Sequence, residues 1–282
     1  MEKDSDDPLI EVAALMQLQA SADPVILDCR YALSDPDRGA RAFATAHIPG
    51  ACYASLHRDL SAPLQRYGGR HPLPSSAQFQ QFARTLGVSR TTPVVVYDDN
   101  RLGFAARAWF LFFFFGHKSI RILNGGLKAW CDAGQPLETH APASRPAGNF
   151  KAKPKENLLV HYAQVKARLG TAPWQLVDAR DHERFAGLKE PIDPIAGHIP
   201  TAINQPWQEI TETASGKVKA PEALRKQWEP LSNGRPLLNY CGSGVTACVN
   251  FFAQYLAGRR DSLLYPGSWS DWCAHQRAHQ SR

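Results

Sequence analysis

One cysteine in the sequence is followed by a loop that can activate it. Residues 237–248 read Leu-Leu-Asn-Tyr-Cys-Gly-Ser-Gly-Val-Thr-Ala-Cys, so an apolar run leads to Cys241, a glycine-containing loop and a helix-forming stretch. This order predicts that the Cys241 sulfur lies among backbone N–H groups at the positive end of a helix. Such surroundings favour the thiolate, which is the nucleophilic form of cysteine. The pattern therefore indicates that Cys241 is a nucleophile.

The other cysteines lack this pattern. Cys248 lies seven residues after Cys241, about two helical turns further on, where we expect it to pack in the core, with a redox partner as the alternative. Four more are expected to be buried and inert, namely Cys29, Cys52, Cys131 and Cys273. No two cysteines form a Cys-x-x-Cys pair. The sequence therefore predicts neither a zinc site nor a disulfide framework, and it favours a reducing cytoplasm.

Short strands and amphipathic helices alternate along the chain. Residues 25–27 and 94–96 are compact, mostly β-branched apolar runs that predict buried strands. Residues 75–86 and 245–256 carry apolar side chains at helical spacing. Strands that alternate with helices predict an α/β fold with a mainly parallel sheet and helices on both faces.

Four blocks of sequence recur in the same order, at offsets of 142 to 151 residues. Each block combines strand residues or a tight turn with a few shared side chains, and the pairs are 25–30 with 175–180, 46–51 with 197–202, 94–98 with 237–241, and 123–130 with 265–272. Recurrence in one order implies that a domain of about 130 residues has been duplicated.

The first copy is an internal control for Cys241. Asp98 stands at the equivalent place, and Asp-Asn-Arg-Leu-Gly follows it in place of Gly-Ser-Gly, so the first copy has no nucleophilic sulfur there. We expect residues 1–137 to form a catalytically silent N-terminal domain, 138–156 a linker and 157–282 a catalytic C-terminal domain. The linker is rich in Pro, Ala, Lys and Ser and has no hydrophobic period, which predicts an exposed connection.

Composition and charge exclude several classes of protein. Of 282 residues, 44% are hydrophobic and 21% charged, as in a globular protein of two domains. The net charge is +6, but no basic run exceeds a pair such as Arg259 and Arg260, so we expect a small anionic substrate rather than nucleic acid. The polar, acidic start is unlike a secretory signal, and the longest apolar run, 108–115, is too short for a bilayer, so no membrane partner is expected.

Taken together, these motifs resemble the rhodanese superfamily. The resemblance rests on the duplicated Asp-x-Arg and His-Ile-Pro blocks, the Cys-Gly-Ser-Gly-Val-Thr loop, and the glycine- and tryptophan-containing block that ends each copy, over roughly residues 26–272. It implies two tandem rhodanese-like domains, each a mainly parallel sheet flanked by helices on both faces. It also implies a sulfurtransferase in which Cys241 carries sulfur as a persulfide to a thiol, a thioredoxin-like protein or cyanide, without a metal or an organic cofactor.

The resemblance also assigns donor-binding residues. The loop after Cys241 is uncharged and comprises Gly242, Ser243, Gly244, Val245 and Thr246. Thiosulfate-preferring members of the family carry basic residues there, so the resemblance favours 3-mercaptopyruvate as the donor, with pyruvate as the product. Arg184 matches the family arginine that binds the substrate carboxylate. Mercaptopyruvate enzymes tend to have a second arginine nine residues later, where this chain has Asp193, so Lys189 or another basic side chain would have to substitute.

Other polar residues of the motifs are interpreted as structural. The Asp-x-Arg pairs, Asp28 with Arg30 and Asp178 with Arg180, recur in both copies and are expected to form ion pairs that stabilise each domain. His47 is a candidate for the acid–base histidine proposed for the family, but its recurrence as His198 favours a turn-stabilising role. Ser243 either contacts the donor or caps the following helix, and for Thr246 capping is favoured.

Alternatives to this function differ in chemistry. A cysteine-dependent phosphatase needs an arginine six residues after its cysteine, and Ala247 occupies that place. A cysteine hydrolase needs a histidine base, for which His198 is a candidate. Thiosulfate:cyanide sulfur transfer and a non-catalytic persulfide carrier also remain open.

Overall fold

The computed structural model describes residues 7–140 and 142–280, which form two units. Unit 1 contains the described residues up to Ala62 together with Pro74–Lys155 and Thr211–Val218, and unit 2 contains Pro63–Leu73, Glu156–Ile210 and the described residues from Lys219 onward. Unit 2 therefore includes a short segment, residues 63–73, that belongs by sequence to the first copy of the repeat. Unit 1 likewise includes residues 211–218, which belong by sequence to the second copy.

The sheet of unit 1 has strands in the order β1-β5-β4-β2-β3, and every pair is parallel. The strands are β1 (Leu9–Ile10), β2 (Val25–Asp28), β3 (Ala51–Tyr53), β4 (Val94–Tyr97) and β5 (Ile120–Leu123). The helices are α1 (Val12–Ser21), α2 (Arg38–Thr45), α3 (Ser76–Thr85), α4 (Ala105–Phe114) and α5 (Gly126–Asp132).

The sheet of unit 2 follows the same plan, with the order β7-β6-β8-β9 and parallel pairing throughout. Its strands are β6 (Gln175–Asp178), β7 (Ile203–Asn204), β8 (Leu237–Tyr240) and β9 (Leu263–Leu264). Its helices are α6 (Tyr162–Ala167), α7 (His182–Phe185), α8 (Pro221–Ser232), α9 (Ala247–Leu256) and α10 (Ser268–Gln280), with 3₁₀ turns at Glu156–Leu158 and Trp207–Ile210.

Helices flank both sheets. In β4, Val95 and Tyr97 pack in a cluster with residues of α1 and α5. Because successive side chains of a strand point to opposite faces, Val94 and Val96 face away from this cluster, and α4 packs on β4 and β5 outside it. In unit 2, Leu238 and Tyr240 of β8 pack with α6 and α10, while α9 contacts β8 and β9. The predicted α/β fold with two mainly parallel sheets is confirmed.

A buried amide pair connects β8 to α9, the two elements that flank Cys241. Asn239 Nδ2 donates to Gln254 Oε1 at 2.9 Å, and Gln254 Nε2 donates to Asn239 Oδ1 at 2.8 Å. Neither side chain is exposed, so each amide needs the other as a partner. Val96 takes the place of Asn239 in unit 1. The amide pair thus belongs to the unit that carries the cysteine.

The segment between the repeats differs from the exposed connection expected from its composition. Residues 142–155 have mostly exposed side chains, but Gly148 N donates to Arg84 O at 2.8 Å and Lys153 N donates to Phe115 O at 2.9 Å. Phe150 is buried against the aromatic side chains of α3 and α4. One buried aromatic residue and these backbone hydrogen bonds place the segment on unit 1.

All six cysteines are free thiols. The expectation of burial is wrong for Cys131, which is exposed near the end of α5, and Cys52 is half-buried. Burial raises the pKa of Cys29 well above its ordinary value, and burial followed by the charge of Asp193 raises the pKa of Cys273 to about 12. Across the two described ranges, no helix is both long enough and apolar enough to span a membrane.

Candidate active site

Cys241 follows β8 directly and begins the loop that leads to α9. Its side chain is buried, with 1% of its surface exposed. Cys241 N donates to Ser268 Oγ at 3.1 Å, and Cys241 O accepts from Trp269 N at 2.9 Å. Gly242 O accepts from Ser270 N at 3.0 Å. The first turn of α10 therefore fixes the start of the loop.

Gly244 allows the loop to turn. Its φ of +76° lies in the left-handed region, which side chains disfavour. A Cβ at this position would overlap the carbonyl oxygen of Pro266. Glycine is thus required at position 244 both for its conformation and for the close approach of two backbone segments.

The equivalent loop of unit 1 holds a carboxylate. Asp98 follows β4 as Cys241 follows β8, and it is buried. Its Oδ1 accepts from Asn100 N (2.9 Å) and Leu102 N (3.1 Å), and its Oδ2 accepts from Phe104 N (2.8 Å) and Ala105 N (2.9 Å). Burial raises the pKa of Asp98, although these backbone donors act in the opposite direction. At this place in the fold, main-chain N–H groups thus converge on one anionic side chain.

The two loops share their anchoring but differ in length. Asp98 O accepts from Leu127 N at 2.9 Å, the counterpart of the bond between Cys241 O and Trp269 N. Residues 98–104 connect the strand to the helix in unit 1, whereas residues 241–246 do so in unit 2, one residue fewer. The internal comparison makes the Cys241 loop a candidate anion-binding loop with a sulfur in the place of a carboxylate.

Two predictions about the loop have different outcomes. Thr246 is at the N-cap position of α9, but its side chain makes no capping hydrogen bond. The prediction of side-chain capping is therefore wrong, because Thr246 has helical φ and ψ of −73° and −16°, whereas a capping side chain needs an extended backbone. Val245 is buried. The Cys248 thiol is also buried and donates to Gly244 O at 3.3 Å, as a packed side chain would.

His71 is a polar residue of the site that the sequence analysis missed. Its Nδ1 lies 2.8 Å from Ser243 Oγ, and both side chains are buried. The two residues are 172 positions apart, and residues 63–73 have no counterpart among the recurring blocks. The available signal was the local run Gly-Gly-Arg-His at residues 68–71, which places two polar side chains after two flexible residues.

The segment 63–73, here called the arm, is fixed on the beginning of α10. Gly68 N donates to Asp271 Oδ1 at 2.8 Å, and Arg70 N donates to Ser270 Oγ at 3.1 Å. Gly69 has a φ of +83°, and a Cβ there would overlap Gly267 O. These contacts fix the backbone that carries Arg70 and His71.

Arg184 lies on α7 among carboxylates. Its backbone N–H donates to Asp181 Oδ1, which caps the helix. The Arg184 guanidinium lies 2.8 Å from Glu190 Oε1 and 3.1 Å from Asp193 Oδ2. Burial opposes ionisation of Glu190, but the backbone N–H of Asp193 and the charge of Arg184 hold the pKa of Glu190 below its ordinary value. Burial raises the pKa of Asp193 despite the neighbouring arginines.

Arg70 joins the same group from the arm. Its Nη1 forms an ion pair with Asp193 Oδ1. A Cβ placed on Gly242 would lie 3.0 Å from Arg70 Nη2 and 3.6 Å from Arg184 Nη1 and Nη2. Two guanidinium groups therefore lie beside the residue that follows Cys241. Lys189 instead forms an exposed contact with Glu183 at 3.9 Å.

The repeated Asp-x-Arg motif forms the predicted ion pairs in both units. Arg30 Nη2 lies 2.6 Å from Asp28 Oδ2, and Arg180 Nη2 lies 2.7 Å from Asp178 Oδ2. In each unit the arginine also donates to a backbone carbonyl just before the His-Ile-Pro turn, at 2.6 Å. The pairs are buried and link the end of a strand to that turn.

The paired histidines also have matching surroundings. His47 lies in unit 1, where its Nδ1 is 2.7 Å from Phe43 O, its ring stacks on Phe43, and its Nε2 is 3.5 Å from Glu138. In unit 2, His198 Nδ1 is 2.8 Å from Phe185 O, and the two rings stack. The recurrence favours a structural role for His47.

Comparison with known proteins agrees with this geometry. A family model described as a rhodanese-like domain matches residues 11–133 and again 161–275. A probable 3-mercaptopyruvate sulfurtransferase of Pseudomonas aeruginosa is 43% identical over 274 residues, which cover 95% of this chain and 96% of that protein. A putative thiosulfate sulfurtransferase of Mycobacterium tuberculosis, SseB, is 40% identical over 269 residues, which cover 94% and 93% of the two chains.

A solved structure shows the same arrangement of elements. The crystal structure of SseA from Escherichia coli, described as having the rhodanese fold of 3-mercaptopyruvate sulfotransferases, is similar with a TM-score of 0.80 at 31% identity. The similarity covers 93% of this chain and 99% of that one. Because the family matches coincide with the two copies of the repeat, and the relatives align along almost the whole chain, the protein belongs to the rhodanese superfamily and is a two-domain sulfurtransferase.

Proposed function

We propose that the enzyme transfers sulfur from 3-mercaptopyruvate to a thiol, a thioredoxin-like protein or cyanide through a persulfide on Cys241. The observation that carries the proposal is the place of Cys241 on a loop whose counterpart in unit 1 directs four N–H groups at a carboxylate. A thiolate and a persulfide are both anions, so one set of N–H groups can stabilise the enzyme before and after it accepts sulfur.

In the first half-reaction, the Cys241 thiolate attacks the sulfur of the donor. An S–S bond forms as the C–S bond breaks, and the electron pair of that bond leaves with the enolate of pyruvate. The enolate takes a proton from the Ser243 hydroxyl, and the His71 ring, 2.8 Å away, returns a proton to Ser243. The new persulfide then loses its S–H proton, which restores the proton that the His71 ring gave up, so protons and charge balance.

In the second half-reaction, the acceptor attacks the outer sulfur of the persulfide. The S–S bond breaks, the acceptor keeps the sulfur atom, and Cys241 is released as a thiolate. A thiol acceptor becomes a persulfide, and cyanide becomes thiocyanate. No metal or organic cofactor takes part in this sequence.

The donor is inferred from the loop and from the need for a proton. Gly242, Ser243, Gly244, Val245 and Thr246 bring no charge to the site. Cleavage of thiosulfate releases sulfite, which needs no proton, whereas cleavage of mercaptopyruvate releases an enolate, which does. A hydroxyl bonded to a buried histidine therefore supports mercaptopyruvate. The name of the P. aeruginosa relative supports the same donor, and that of the M. tuberculosis relative supports thiosulfate as the alternative.

Steady-state transfer to cyanide and to a dithiol, with each donor in turn, tests the proposal. We expect mercaptopyruvate to be preferred and Cys241→Ser to be inactive, whereas Cys131→Ser, a change at an exposed thiol, keeps the wild-type rate. Ser243→Ala should lower kcat with mercaptopyruvate about 10²-fold to 10⁴-fold, the usual contribution of a general acid, and affect any thiosulfate turnover much less.

Other outcomes of this assay would reject the proposal in different ways. Preference for thiosulfate would contradict the choice of donor but keep the sulfurtransferase activity. Sulfur loading without turnover of either small donor would favour a persulfide carrier that relays sulfur to a second protein.

A further inference from the structure

No residue of the arm lies in a helix or a strand, so a few contacts decide its position. We propose that His275 is a positioning residue for sulfur transfer. Its ring is held between the rings of Tyr162 and Tyr67 and thereby fixes the arm. The arm in turn keeps His71 within hydrogen-bond distance of Ser243. This inference rests on the proposed function, in which the histidine of the arm returns a proton to the serine.

The His275 ring, on α10, is stacked on both of its faces. The centroid of the Tyr162 ring, on α6, lies 3.6 Å away, with an angle of 5° between the ring planes. The centroid of the Tyr67 ring, on the arm, lies 4.1 Å away at an angle of 15°. Two rings that are this near and this parallel would collide on one face, so they lie on opposite faces. His275 therefore connects a helix of unit 2 to the arm.

The stack lies close to the part of the arm that carries His71. Tyr67 is four positions before His71, and the residues between them are Gly-Gly-Arg. Gly68 N donates to Asp271 Oδ1 at 2.8 Å, and His275 Nε2 lies 3.5 Å from the same oxygen. Helix α10 thus holds two successive residues of the arm. Because glycine leaves the chain flexible, this hold decides where the residues that follow lie.

The position of His275 belongs to an extension of α10. At the offset of 142 residues, α5 (Gly126–Asp132) corresponds to residues 268–274, and Ala133 stands where unit 2 has His275. Helix α5 ends one residue before that position, whereas α10 continues to Gln280. The extension that supplies the stacked ring thus occurs in the unit that also contains the arm and Cys241.

The position of the arm matters because proton transfer depends on distance. His71 Nδ1 lies 2.8 Å from Ser243 Oγ, which is within the range that proton transfer needs. A displacement of about 1 Å can slow a reaction about 10²-fold. One aromatic contact favours the contacting state about 2-fold to 12-fold. Loss of the His275 ring should therefore raise the population of displaced arms by that factor.

The first test measures the arm without any substrate. Trypsin cleaves after Arg66, on the arm, and after Lys151, which is exposed on unit 1. In His275→Ala, cleavage after Arg66 relative to Lys151 should rise about 2-fold to 12-fold, because cleavage needs a released chain. His275→Phe keeps a ring between the tyrosines and should match the wild type. Phe43→Leu removes a similar stack on His47 in unit 1 and should leave the ratio unchanged.

The second test measures turnover. His275→Ala should lower kcat with mercaptopyruvate about tenfold, and His275→Phe should restore it. Any turnover of thiosulfate, whose cleavage needs no proton, should change much less. A merely structural His275 would affect both donors alike. Tyr67→Leu combined with His275→Ala should be no slower than the slower single variant, because both changes remove the same contact between α10 and the arm.

The outcomes separate this inference from the proposed function. If the wild type does not turn over mercaptopyruvate but cleavage after Arg66 rises in His275→Ala, the hold on the arm stands and the proposed reaction fails. Unchanged cleavage in a folded His275→Ala rejects the hold whatever the donor. Faster cleavage with a wild-type kcat rejects the positioning role.

A further variant covers the case in which His275→Ala does not fold. Tyr67→Leu removes the same contact from the side of the arm, where the Tyr67 side chain is 37% exposed. Cleavage is then followed after Arg70, since the bond after Arg66 is itself altered. Wild-type cleavage and a wild-type kcat in this variant reject the inference equally.

Discussion

Glu190 connects the buried Arg180 to Arg184 through its two carboxylate oxygens. Oε2 lies 3.1 Å from Arg180 Nη1, and Oε1 lies 2.8 Å from Arg184 Nη2. Oε1 also accepts from the backbone N–H groups of Ile192 and Asp193. Since the side chain is 4% exposed, its ionised form depends on these partners, and together they hold its pKa below the ordinary value.

This lowered pKa predicts how stability changes with pH. A carboxylate whose pKa is lower in the folded than in the unfolded state stabilises the fold above its unfolded pKa, here near 4.5, and loses that effect as the pH falls through the folded value. At pH 7 we expect Glu190→Gln to lower the free energy of unfolding by about 1.5–3 kcal/mol. Urea denaturation of both proteins should show this difference narrowing below pH 4.5. A difference that stays constant down to pH 3 would contradict the assignment.

Residue types differ in how far the sequence reveals them. Cys241 and Arg184 stand in continuous motifs, so their neighbours identify them. Arg70 and His71 act on residues 123 and 172 positions away, and no local pattern encodes such a separation. In the sequence, Asp193 stands out only as a departure from the family pattern. Its role as a bridge follows from the two arginines that it contacts.

At the scale of elements, the strand–loop–helix unit from β8 to α9 is built to hold one backbone shape. The Asn239–Gln254 amide pair fixes the strand to the helix, and α10 fixes the start of the loop through Ser268. Alternation of strands and helices is visible in the sequence because it follows apolar periodicity. The amide pair is not visible in the sequence, because a polar residue in a strand predicts an exposed side chain rather than a buried hydrogen-bond partner.

Gly244 tests the importance of this backbone shape. Gly244→Ala should lower kcat at least about 10²-fold, because the loop must shift away from Pro266 O and small displacements of reacting groups are costly. Gly170 provides a matched control, with a φ of +78° and open space where the methyl group of an alanine would lie. Gly170→Ala should cost about 1–2 kcal/mol of unfolding free energy and leave kcat unchanged. A wild-type kcat for Gly244→Ala would contradict the importance of this backbone shape.

At the scale of the whole molecule, the duplication is regular in its sheets and irregular in its connections. The recurring blocks account for β2 with β6 and β4 with β8, which is why the sequence reveals two similar units. Residues 63–73 and 211–218 lie outside those blocks. Their assignment to units therefore depends on tertiary contacts, such as Gly68 N with Asp271, and cannot be read from the repeat.

The arm gives a prediction at this scale. Gly69→Ala should displace the arm, because its Cβ would overlap Gly267 O. The displaced His71 could then no longer serve Ser243, so kcat with mercaptopyruvate should fall about tenfold or more. Gly258, with a φ of +91° and open space around it, is the control for backbone strain alone. Gly258→Ala should show wild-type kinetics with a similar loss of thermal stability. Wild-type kinetics for Gly69→Ala would contradict the prediction that the position of the arm matters for turnover.

The carboxylate of Asp98 also limits what the first copy can bind. Without the carboxylate, this ring of main-chain N–H groups would bind sulfate, phosphate or the donor itself, all of which are small anions. Asp98 is covalently tethered to that ring, so its effective concentration exceeds that of any free competitor. Of these two corresponding loops, only the one that begins at Cys241 carries a thiol, and under the proposed function we expect these loops to load one sulfur atom per chain.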